Sequence, residues 1–163
     1  MPVAILIQCS CRTVSVLASR ERALRPREPT FETLLAGATE LIAWCGGWPN
    51  FHDAEIVRLD LHRRGVSRLV IAVRGGEKPN FGPRSDRRYA VPPADVLITF
   101  FFEDIEDLEL TDFSRQNVVF ELDLTCDQGV VTLEMSPCFG LAGKIVARKV
   151  TVEFSPGSAP DAE

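Results

Sequence analysis

A chain of 163 residues, 45% of them apolar and ten of them Phe, is long enough to bury one core without staples. Its five cysteines are odd in number and contain no CxxC pair, which argues against a disulfide framework and for reduced thiols in a cytoplasmic protein. The net charge of −5 disfavours nucleic acid as a direct ligand, since phosphate binding needs a basic face, and no run approaches the ~20 apolar residues that span a membrane.

Residues 1–29 stand apart from the rest. Arg12, Arg20, Arg22, Arg25 and Arg27 outnumber Glu21 and Glu28, and Arg25-Pro26-Arg27-Glu28-Pro29 breaks any helix. The expectation is a disordered basic extension over 1–29, a single domain over 30–154 and a disordered tail over 155–163. Val3–Ile7 is apolar but short, with no basic residue before it, so no signal peptide is expected.

Thr30 can cap a helix whose apolar positions Phe31, Leu34, Leu35, Ala38, Leu41, Ile42 and Cys45 follow i, i+3, i+4, i+7. Gly46-Gly47 ends it where a left-handed residue is wanted. Beyond it, Val57, Leu59 and Leu61 alternate with Arg58, Asp60 and His62, and Arg64-Gly65 can turn the chain into Leu69–Val73. Residues 74–93, rich in Gly, Pro and basic side chains, read as a long loop. Ala94–Phe102 is a strong strand with Val96, Ile98, Phe100 and Phe102 on one face. Asp107–Thr111, Asn117–Leu124, Val130–Ser136 and Lys144–Phe154 complete the set. One helix followed by strands on short turns predicts an α+β fold, with an N-terminal helix packed on one face of an antiparallel sheet of six or seven strands.

The densest cluster of chemically able side chains is Trp48-Pro49-Asn50-Phe51-His52-Asp53-Ala54-Glu55. A strand starting near Phe51 would set Asp53 and Glu55 on the face of Val57 and Leu59, with His52 opposite. There the carboxylates would accept backbone N–H groups under the Trp48 turn, a structural role for Trp48, Phe51, His52, Asp53 and Glu55, with Asn117 grouped beside them. The rival reading is a small metal-dependent or acid–base hydrolase built on His52, Asp53 and Glu55. The other histidine, His62, lies ten residues along the same strand and cannot share an ion without a fold-back. Cys9-x-Cys11 has no second pair nearby, and GxSxG, GxxxxGK[ST] and GxGxxG are all absent. No catalytic residue, metal site or cofactor is therefore expected.

The run from Glu103 to Asp112 holds six carboxylates, Glu103, Asp104, Glu106, Asp107, Glu109 and Asp112, and no basic residue. With Leu108 and Leu110 inward, Asp107 and Glu109 point out together. That is either a strand edge kept soluble by charge or a docking strip for a cationic partner.

A helix ending near Trp48-x-x-Phe51-His52-Asp53-Ala54-Glu55 and leading into an amphipathic strand resembles the immunity protein 50 family of bacterial polymorphic-toxin systems. The likeness continues through Asp107-Leu108-Glu109-Leu110, Phe113-Ser114-Arg115-Gln116-Asn117-Val118-Val119-Phe120 and Phe139-Gly140-Leu141-x-Gly143, over about residues 31–154. Residues 1–29 and the loop 74–93 have no counterpart in it. The resemblance implies an α+β protein without catalysis that neutralises a cognate toxin, such as a basic nuclease, by stoichiometric binding. A general interaction module without a toxin partner is the third reading.

Overall fold

Side-chain alternation decides most of this fold, and two places where it slips decide the rest. The protein, seen in a computed structural model, is described for residues 35–76 and 89–158. The expected extension 1–29, the Thr30 cap, Phe31, Leu34, the middle of the 74–93 loop and the end of the tail lie outside them.

Among the described residues, one short helix, α1 (Ala38–Cys45), precedes β1 (Trp48–Pro49), β2 (Glu55–Asp60), β3 (Ser67–Val73), β4 (Tyr89–Ala90), β5 (Val96–Thr111), β6 (Val118–Asp127), β7 (Val130–Phe139) and β8 (Ala142–Pro156). The molecule is α+β, with six antiparallel strands in the order β2-β3-β5-β8-β7-β6. The antiparallel sheet expected from the sequence is present with six strands, and β6 returns to β2 and closes it into a barrel, which the sequence did not anticipate. The seam is thin: Ile56 N–H donates to Asn117 O, Val119 N–H to Ala54 O and Asp53 N–H to Val119 O, at 2.8–2.9 Å.

The helix is shorter than the periodicity predicts. Gly37 sits at φ 88, and Val152 N–H donates to Ala36 O at 2.8 Å, so residues 35–37 lie along β8 rather than in a helical turn. A Cβ on Gly37 would overlap the Val152 carbonyl, which makes glycine obligatory there. From Ala38 on, the expected apolar face holds: Ala38, Leu41 and Cys45 are buried, and Trp44 meets Phe154 with ring centroids 5.2 Å apart. Gly46, at φ 78, donates to Ile42 O and stops the helix where expected.

Val96, Ile98, Phe100 and Phe102 all point into the core, as their alternation predicts. They meet Leu69, Ile71, Leu133, Ile145 and Val152 in one continuous apolar cluster. The expected strands 94–102 and 107–111 are one strand, β5, carried across by a bulge between Ile105 and Asp107. Within the expected 74–93 loop, Tyr89–Ala90 forms a short strand parallel to Trp48–Pro49.

Candidate functional site

The barrel seam gathers the cluster that the sequence singled out, but not in the expected orientation. Trp48, Phe51 and Ala54 are buried, with the Phe51 ring packed at a tilt between Trp48 and Phe100 at centroid distances of 6.0 Å. Ile56 follows Ala54 into the core, so Asp53 and Glu55 turn outward instead of sharing the apolar face. The cause is a bulge in β2: Ile56 pairs with Ile71 and Arg58 with Val70, leaving Val57 as the extra residue. Past the bulge the phase reverses and Leu59 packs inward, the phase that the alternation of Val57, Leu59 and Leu61 had suggested for the whole strand.

Backbone carbonyls satisfy most backbone donors around the turn, and the side-chain acceptors at the turn and seam are carboxamides rather than carboxylates. Asn50 Oδ1 accepts His52 N–H at 3.0 Å, and the buried Asn117 carries the larger load. Its Oδ1 accepts Ser114 N–H at 3.0 Å and Leu141 N–H at 2.9 Å, while its Nδ2 donates to Ser114 O at 2.9 Å. Asp53 adopts φ 64, and its carboxylate faces solvent, 3.0 Å from His52 Nδ1.

His52 and Asp53 line a cleft of about 770 Å³ together with Phe51, Arg74, Tyr89 and Phe120. Glu55 is not in its wall; it sits on the outer face across from Val118. The three side chains of the hydrolase reading are thus split, two at the cleft and one outside. Among the described residues, no group of three His, Cys, Asp or Glu is arranged to hold a metal ion. Cys45, Cys126 and Cys138 are free thiols.

The outer face beside the seam carries what sequence reasoning missed. Phe113, Phe120 and Phe139 are 70%, 52% and 57% exposed, more than half of each ring left in water. Phe120 is thrust out by a second bulge, because Val119 pairs with Pro137 and Glu121 with Ser136, leaving Phe120 between them. Val118, flanked by Phe139 across the strand pair, extends the same outer face, and His52 meets Phe120 edge-on at 5.1 Å. Phe113 belongs to the same end of the barrel: Asn117 ties its neighbour Ser114 to Leu141, two residues beyond Phe139. The sequence held one signal for this, since Val119-Phe120 followed by Leu122 interrupts strict alternation and marks a bulge.

The acidic run occupies the second half of β5. β3 pairs with β5 only from Val96 to Phe102, so Glu103–Thr111 has β8 on one side and, among the described residues, no strand on the other. Four of the six carboxylates meet cations of β8: Glu103 with Lys149, Glu106 with Arg148, and Asp107 and Glu109 with Lys144 at 3.3 and 3.4 Å. Asp104 and Asp112, at φ 54 and φ 59, sit where the strand bends and ends. Leu110 packs on the core, whereas Leu108 is only partly covered, at the margin of the barrel. Hydrogen bonding to Asp107, reinforced by Glu109, holds the Lys144 ammonium above its ordinary pKa.

Comparisons with protein-family models, curated proteins and solved structures found no match to this chain. Among the described residues, no helix is long and apolar enough to cross a membrane.

Proposed function

We propose that this chain acts in the cytoplasm by stoichiometric binding of a protein partner, as an immunity-type protein that neutralises a cognate toxin. The observation that carries the binding reading is the exposure of Phe113, Phe120 and Phe139 at one end of the barrel. Solvated aromatic side chains, here two on strands and Phe113 in the loop after β5, are costly to leave in water and are the usual anchors of protein interfaces. Apolar side chains stand on the outer face at both bulges, Val57 in β2 and Phe120 in β6. The toxin assignment rests on the resemblance of Trp48–Glu55, Phe113–Phe120 and Phe139–Gly143 to immunity proteins.

The acidic β5 edge leads directly into Phe113, so it supplies a charged rim to an aromatic centre. Four of its six carboxylates meet three cations of β8, which leaves the rim acidic and suited to a basic partner such as a nuclease. The test is to co-express the chain with the toxin domain encoded beside its gene. The reading expects a one-to-one complex on size exclusion and abolished toxicity. A toxin that remains free and fully active overturns it.

A second reading, acid–base hydrolysis, is favoured by the 3.0 Å contact of Asp53 with His52 Nδ1 at the cleft wall. That contact can orient the ring and leave Nε2 to take a proton. Turnover of ester or phosphodiester substrates that disappears in His52→Ala would support it over binding alone.

A further inference from the structure

Among the described residues, β5 and β6 each run on past a neighbour and leave part of a main-chain edge without a partner strand, and the two edges are built differently. The Glu103–Thr111 edge of β5 carries the features that prevent strand addition: a bulge between Ile105 and Asp107, Asp104 at φ 54 and a run of carboxylates. The edge of β6 lacks the first two. Its bonds to β2 end at Asp53 N–H to Val119 O, and Glu121–Asp127 then continues in unbroken register with β7. Among the described residues, no strand pairs with its other side. The cleft of about 770 Å³ opens where this edge begins, at Phe120, Glu121 and Leu122.

We propose that the Glu121–Asp127 edge of β6 receives an extended cationic segment of a protein partner as an added strand. The proposal rests on the binding reading above and specifies the face used. An unpaired edge offers N–H and C=O groups in register, so main-chain bonds supply affinity and alternate side chains supply specificity. The alternation of β6 dictates that of its guest. Glu121, Asp123, Thr125 and Asp127 point outward, while Leu122 and Leu124 point inward. An added strand would therefore place basic residues on the outer face and aliphatic residues toward the cleft side. Asp123 stands directly across from Glu134, a like-charge pair that costs stability and that an incoming Lys or Arg relieves. A second copy of this chain is a poor guest, because edge-to-edge pairing would bring Glu121 and Asp123 against carboxylates of the same edge.

Amide hydrogen exchange on the full chain, read by NMR, tests this with three capped probe peptides. One alternates Lys and Val, one alternates Glu and Val, and one repeats the Lys–Val pattern with N-methylated valines that cannot complete a ladder. The Lys–Val peptide is expected to slow exchange of alternate amides in Glu121–Asp127 by about tenfold or more, with binding severalfold weaker at high salt. The other two should do neither. Reversal of Glu121 and Asp123 together to Lys should transfer the preference to the Glu–Val peptide. Unchanged exchange in β6, slowing confined to β5, or equal binding of the N-methylated peptide overturns the proposal. Slowing that appears on concentrating the chain alone makes a second copy the guest and overturns it as well. A toxin that binds without protecting Glu121–Asp127 sinks this edge and leaves the binding reading standing. A Lys–Val peptide that protects the edge while no toxin is neutralised does the reverse.

Discussion

Asn117 Oδ1 accepts the Leu141 N–H at 2.9 Å across 24 residues of sequence, joining the entry of β6 to the approach of β8. Because the same oxygen also accepts Ser114 N–H, one buried carboxamide fixes both ends of the aromatic surface. Asn117→Ala would strand these donors and should cost roughly 1–3 kcal/mol in urea unfolding. Asn117→Asp keeps both acceptor roles but buries a carboxylate whose second oxygen meets Ser114 O, so its cost should differ from alanine's and shrink at a pH low enough to protonate it. Equal losses for the two variants would show that packing, not hydrogen bonding, is what Asn117 contributes.

Gly37 and Gly46 both adopt left-handed backbone at the ends of α1, yet they differ in surroundings. Alanine at Gly46 meets nothing within 4 Å, so only the left-handed backbone opposes it, at roughly 1–2 kcal/mol. Alanine at Gly37 meets the same backbone penalty and also the Val152 carbonyl, so it must shift α1 off β8. Thermal melts should therefore rank Gly37→Ala well below Gly46→Ala, and a reversed order would remove the close approach of Gly37 to β8 from the account.

What the sequence made legible follows the physics of alternation. Val96 to Phe102 reads cleanly because nothing interrupts its period, and the Gly46 stop reads because a helix end needs a left-handed residue. The bulge at Val57 was not legible, since an extra residue shifts the phase without changing composition, and the one at Phe120 left only the break in alternation between Val119 and Leu122. They alone put Asp53 and Glu55 on the wrong face and hid Phe120 as a surface residue. Barrel closure was invisible for another reason: it depends on three long-range hydrogen bonds between Asp53–Ile56 and Asn117–Val119, which no local pattern encodes. The start of α1 was misplaced because Leu35 suits a helix and an extended segment equally, and Gly37 decides between them.

Asp60 accepts from Arg68 Nε, and from Arg58 Nε at 2.7 Å, and these guanidinium groups, Arg68 foremost, hold its carboxyl below the usual range. A depressed folded pKa stabilises the fold above the unfolded value of about 3.9, and the benefit disappears as pH falls through the folded value. Asp60→Asn should then be less stable than the parent at pH 7, with the gap narrowing steadily below about pH 4. A gap independent of pH would mean that shape, not charge, holds β2 to β3 at this point.

Burial pushes the Cys45 thiol up to about 11, whereas Cys138 is exposed beside the Phe139 surface. Since the thiolate is the reacting species, mild alkylation at pH 8 followed by peptide mapping should label Cys138 readily and spare Cys45. Cys45 should react only once denaturant is added. Early labelling of Cys45 in the native chain would show that α1 opens from β8 far more often than its packing implies.

Binding itself turns on the three solvated phenylalanines. Phe113→Ala, Phe120→Ala and Phe139→Ala each remove a ring that is more than half exposed, so folding stability should stay within about 0.5 kcal/mol. A ring that anchors an interface is worth about 2 kcal/mol or more on truncation, so toxin affinity should fall about thirtyfold, mainly through faster dissociation. Reversing Asp107 and Glu109 to Lys should act differently. It slows association and flattens its salt dependence, because exposed charge governs encounter. It should also weaken the fold, most at low salt, because Lys144 would then face two cations where it now has two carboxylates. Surface plasmon resonance across a salt series separates these effects. The aromatic-anchor account survives if dissociation rises in the Phe variants alone; unchanged dissociation in all three would move the docking face elsewhere on the barrel.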